Sequence, residues 1–184
     1  MRSLFAACAV ALLLSPAMTQ AQTALIVDGG YYGFRSNAAG TEVGERPALD
    51  GLLASSGGPF TFSLFSTGLL RIWDYQQNSE RFRVTINGAD FGLTSDTPCV
   101  VEGDPCISDD DPFSALGNPL FSQGSYLLAA GDYEVTIVTE RGFLLPGAGA
   151  IGVTTSVPEP ASVALLALGA LGIGAAARRR RLNG

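Results

Sequence analysis

The chain has 184 residues, 47% of them hydrophobic, and a formal charge of −6 at neutral pH. Histidine and lysine are both absent, which excludes Ser-His-Asp and Cys-His catalysis, histidine-based metal centres and Schiff-base chemistry. The acidic balance repels phosphate backbones, so nucleic acid is excluded as a partner.

Residues 1 to 21 read as a secretory signal peptide. Arg2 supplies a positive start, Leu4 to Leu14 an apolar core, Ser15-Pro16 a helix break, and Thr19-Gln20-Ala21 the small residues before a cut at Gln22. Cys8 lies inside the apolar core and leaves with the signal. The body, residues 22–156, is one domain in which 16 carboxylates face 6 arginines, a formal charge of −10. Such a charge keeps an exported domain soluble, and it also attracts divalent cations and cationic polymers.

Strand patterns with turn signals run through the body. Residues 23–28 open the domain. Residues 59–65 and 69–75 read as a hairpin around Ser66-Thr67-Gly68. Trp73, the lone tryptophan, reads as a core or rim residue. In residues 80–86, Phe82, Val84 and Ile86 alternate with Arg81, Arg83 and Thr85, as in a half-buried strand. Asn87-Gly88 then predicts a type I′ turn into a partner strand over 89–94. Residues 125–129, Gly131 and residues 132–138 read as another hairpin, with Tyr133, Val135 and Ile137 inward; residues 151–155 close the domain. Seven or eight short strands at this spacing predict an all-β fold, an antiparallel β-sandwich of jelly-roll type with no covering helix.

Residues 97–112 depart from the pattern. Three prolines, two cysteines and five carboxylates predict a long loop at one end of the sandwich. In an exported protein, Cys99 and Cys106 at this spacing are expected to form a disulfide. Asp104, Asp109, Asp110 and Asp111 are the calcium candidates, because clustered oxygens are what that ion takes. Their spacing does not match an EF-hand loop and adjacent aspartates also make solvated turns, so no metal and no cofactor is assigned. The body has neither a Gly-x-Ser-x-Gly elbow nor a phosphate loop, and Glu134 and Glu140 read as solvent-facing. A non-enzymatic protein is therefore expected.

The chain then runs through Val157-Pro158-Glu159-Pro160, an apolar span over 161–177 and four arginines, Arg178, Arg179, Arg180 and Arg181. As a helix the span would reach roughly 25 Å, the short limit for crossing a bilayer. The arginines cannot be buried, and the positive-inside rule holds them on the cytoplasmic side as a membrane stop. This combination resembles the PEP-CTERM sorting signal of Gram-negative bacteria. The resemblance implies an exosortase in the inner membrane as partner, recognition at Pro158-Glu159-Pro160, transient contact with that membrane, and delivery to the cell envelope, cell surface or extracellular matrix. Leu127-Leu128-Ala129-Ala130-Gly131-Asp132-Tyr133-Glu134-Val135 also resembles the penultimate hairpin of pre-peptidase C-terminal-like sandwiches, which are non-catalytic.

The leading expectation is an exported structural or adhesive component, with exopolysaccharide as a further partner. The alternative is a carbohydrate- or calcium-binding module that uses the acidic loop over 102–111 or exposed rings at Tyr31, Tyr32 and Phe34. A small glycan-active enzyme would instead need two carboxylates facing each other across a cleft.

Overall fold

The computed structural model describes residues 21–99, 106–142 and 147–155. The signal segment up to residue 20, the apolar span over 161–177 and the sorting tail lie outside them. Among the described residues no helix is long and apolar enough to cross a membrane.

Among the described residues ten strands run in chain order: β1 (Thr23–Ala24), β2 (Tyr31–Arg35), β3 (Phe60–Leu64), β4 (Gly68–Gln77), β5 (Arg81–Ile86), β6 (Ala89–Leu93), β7 (Ser108–Asp109), β8 (Gln123–Leu128), β9 (Gly131–Arg141) and β10 (Ala148–Thr155). One sheet has the order β1-β3-β9-β5-β6. In the other, β10 lies between β2 and β4, and both β7 and β8 pair with the far edge of β4. All pairings between named strands are antiparallel except β1 with β3. This is the all-β sandwich expected from the alternation.

Period-2 patterning aims each inward set at the space between the sheets. Phe60, Phe62, Phe82, Val84, Ile86, Val135 and Ile137 meet Tyr32, Phe34, Leu70, Ile72, Ile151 and Val153 in one core. Phe34 packs edge-on against Phe82, with ring centroids 5.2 Å apart.

A second apolar cluster covers the outer face of the β4 sheet. It gathers Leu52, Trp73, Tyr75, Ala115, Phe121, Ala148 and Ala150. Trp73 is fully buried there, and its ring N–H donates to the Pro112 carbonyl at 2.8 Å. Pro112 starts a four-residue helix, α1 (Pro112–Ala115), capped by the Asp111 side chain, which accepts from the Phe113 N–H. The expectation of no covering helix is corrected by this one turn, which shields the tryptophan.

Two expected hairpins are absent. β3 pairs with β1 and β9, whereas β4 pairs with β10, β8 and β7, so residues 65–67 carry the chain from one sheet to the other. Likewise β8 pairs with β4 and β9 with β3 and β5. Alternation looks the same in both cases, because an arch and a hairpin each turn every second residue toward the core. The Tyr133 hydroxyl donates to the Ala129 carbonyl at 2.9 Å, tying the β8–β9 arch together four residues upstream of its own ring. The third hairpin forms as expected. β5 and β6 pair through a turn with φ of 49° at Asn87 and 77° at Gly88. The opening strand is shorter than residues 23–28, because Leu25 N–H still bonds Thr61 whereas Asp28 N–H already bonds Val153 across in the second sheet.

Candidate functional site

The disulfide joins Cys99 and Cys106, and Cys99 is fully buried. Of the loop carboxylates, Asp104 lies outside the described residues. Asp109 accepts from the Asp111 N–H at 3.0 Å and from the Ser114 hydroxyl. Those donors hold its carboxyl below the ordinary carboxylate range, the hydroxyl contributing most. Asp111 is committed to capping α1, and Asp110 is exposed. These three aspartates therefore organise a turn. No group of three His, Cys, Asp or Glu side chains arranged for a metal occurs among the described residues.

Tyr31, Tyr32 and Phe34 do not form an exposed aromatic row. Tyr32 and Phe34 point into the sandwich core. Tyr31 points the other way, onto Trp73, with ring centroids 4.8 Å apart in an edge-on contact.

The exposed carboxylates of the first sheet are engaged locally. Arg83 bridges Asp90 at 2.9 Å and Glu140 at 3.3 Å, and Arg141 holds Asp96 at 2.9 Å. An open groove of about 570 Å³ runs over β1, β3 and β9, with Asp132 and Glu134 on its floor. Residues two apart on a strand share a face, so these two carboxylates stand side by side and do not oppose one another. The Ser63 hydroxyl donates to Asp132 at 2.6 Å.

The carboxylates that the sequence reading passed over are the buried ones. Asp74 and Glu80 are both fully buried. Asp74 continues the inward phase of Leu70 and Ile72 along β4 and pairs across the sheet with Gly149. Neither Asp74 oxygen has a hydrogen-bond partner among the described residues, and the same holds for Glu80 Oε2 and for the buried Ser79 hydroxyl. The Tyr75 and Glu80 backbone N–H groups face Asp74 without reaching hydrogen-bond geometry. The Glu80 side chain lies against Asp74, and Ser79 lies against Glu80. Glu80 Oε1 makes a long contact of 3.5 Å with the Ser36 hydroxyl, which itself accepts from the Gly147 N–H at 2.9 Å.

Burial pushes the Asp74 carboxyl well above its ordinary 3.8, and the neighbouring Glu80 adds to the effect. Burial likewise pushes Glu80 up to about 7. No arginine among the described residues stands against either carboxyl. A carboxylate at the phase of Leu70 and Ile72 was the signal available in the sequence.

Thr155, the last described residue, is still paired with Gly68. Its N–H and hydroxyl donate to the two Asp28 carboxylate oxygens at 2.9 and 2.7 Å. The next residue is the first of a stretch, 156–181, that matches the PEP-CTERM protein-sorting motif. Val157 to Pro160 and the arginines at 178–181 all fall within it, although their structure lies outside the described residues. No curated protein matches the chain. The last described residue of the all-β sandwich is thus followed directly by a stretch that matches the PEP-CTERM protein-sorting motif.

Proposed function

We propose that this protein is an exported, non-catalytic β-sandwich with a structural or adhesive role in the cell envelope or extracellular matrix of a Gram-negative bacterium. The observation that carries the reading is the PEP-CTERM match at 156–181, which supports export and handling by an exosortase. Thr155 remains locked to Asp28, and the Pro158-Glu159-Pro160 element begins three residues beyond this last described sheet residue. The sandwich itself is then what remains on the outer side once the tail has been processed.

The surface supports a non-catalytic role. Asp90, Asp96, Asp109, Asp111 and Glu140 are tied into local pairs or caps, and Asp132 and Glu134 stand side by side on one strand. A glycosidase needs carboxyls flanking the bond that it cleaves. The test is to express Glu159→Ala and Pro160→Ala variants in the native host. Both are expected to leave the protein in the inner membrane while the wild type moves outward. Outward movement of both variants at the wild-type rate would contradict the reading.

A further inference from the structure

We propose that Asp74 and Glu80, together with the Ser79 hydroxyl, bind a calcium ion inside one end of the sandwich. The site is separate from the acidic loop and does not rest on the sorting reading. Calcium takes six to eight oxygen ligands, in flexible geometry, from carboxylates, hydroxyls, carbonyls and water. Four oxygens here are buried and without hydrogen-bond partners among the described residues: both of Asp74, Glu80 Oε2 and Ser79 Oγ. A proton shared between the two carboxyls would satisfy two of them at most, whereas one divalent cation neutralises both carboxylates and accepts all four donors. Burying two adjacent carboxylates with no counter-charge is strongly unfavourable, and buried charges in proteins are paired or coordinate metal ions.

A cleft of about 210 Å³ is lined by Gln76, Gln77, Ser108, Asp110 and Gly147, and Gly147 also adjoins the Glu80 carboxylate. A Cβ at Gly147 would lie 1.9 Å from Glu80 Oε1 and 2.8 Å from the Ser36 hydroxyl. Asp110 gives the mouth of the cleft a negative charge. Magnesium is disfavoured, because it demands tighter octahedral geometry and sheds its water reluctantly.

The experiment uses the full chain in mild detergent, stripped with chelator and melted with increasing calcium or magnesium. Calcium at 100 times its dissociation constant is expected to raise Tm by roughly 10 °C, with magnesium giving less. Asp74→Asn and Glu80→Gln should abolish the rise while melting in chelator no lower than the wild type, since each removes a buried charge. Gly147→Ala keeps every ligand but displaces the Glu80 carboxylate, and should weaken the calcium midpoint roughly tenfold. The double variant Asp104→Asn, Asp109→Asn, in the acidic loop, should keep the full rise. A wild-type Tm that does not move between chelator and about 10 mM calcium, well above the range of extracellular sites, overturns the proposal whether or not the variants fold. So does a rise that survives in Asp74→Asn, or one that disappears in the double variant and thereby moves the ion to the acidic loop.

Discussion

At the residue scale, Asp74 and Glu80 set how stability depends on pH in metal-free protein. Glu80 has its folded pKa raised from 4.5 to about 7, so between those values the folded state binds more protons than the unfolded chain. Its stabilising contribution is complete below 4.5 and is lost as pH rises through 7, an amplitude of roughly 3 kcal/mol. Asp74 acts in the same direction. Denaturant unfolding in chelator should therefore give a free energy that falls from pH 4.5 to 7.5, and Glu80→Gln should flatten that slope. A slope of the opposite sign would mean that the carboxyls are compensated. The exposed bridges of Arg83 to Asp90 and Glu140 sit in high dielectric, and replacing Arg83 with Ala should leave the denaturant midpoint nearly unchanged.

At the scale of elements, β10 is the strand on which the second sheet depends, since it pairs with β2 on one side and β4 on the other. Its glycines make room for aromatic rings: the Phe34 ring crosses Gly149, where a Cβ would lie 2.3 Å from ring carbons. Gly149→Val should cost about 2 kcal/mol or more by overpacking, read as a lower denaturant midpoint. The Cys99–Cys106 bond closes a short loop, and replacing both cysteines with Ser should cost about 2 kcal/mol through the entropy of the unfolded chain. Strand phase was legible in the sequence because Phe82, Val84 and Ile86 share one parity, and Asn87-Gly88 fixed its own turn through positive φ. Strand partners were not legible. Phe62 and Leu70 face one core from opposite sheets, and their spacing matches that of a hairpin. The disulfide followed from the cysteine count, whereas Asp74 is hidden inside Ile72-Trp73-Asp74-Tyr75. That stretch looks like a buried apolar run because Trp73 and Tyr75 fill a second cluster on the outer face.

At the scale of the whole molecule, the sandwich and the sorting signal divide the work. Thr155, the last described residue of the sandwich, is latched to Asp28, and the matched sorting stretch starts at the next residue. β10 is thus the last described strand before the matched stretch. Up to Thr155 the strand is held by β4 on one side and by the Asp28 carboxylate, and such pairing resists being drawn into a protease, which favours handling restricted to the residues beyond it. The measurement that tests export and exosortase handling most directly is the intact mass of the protein recovered from its own host after inner membrane, envelope and medium are separated. The account predicts a species that begins at Gln22, ends near Pro158 to Pro160 and is found outside the inner membrane. A species that keeps Arg178 to Arg181 and fractionates with the inner membrane would contradict it, and would make the tail a permanent anchor.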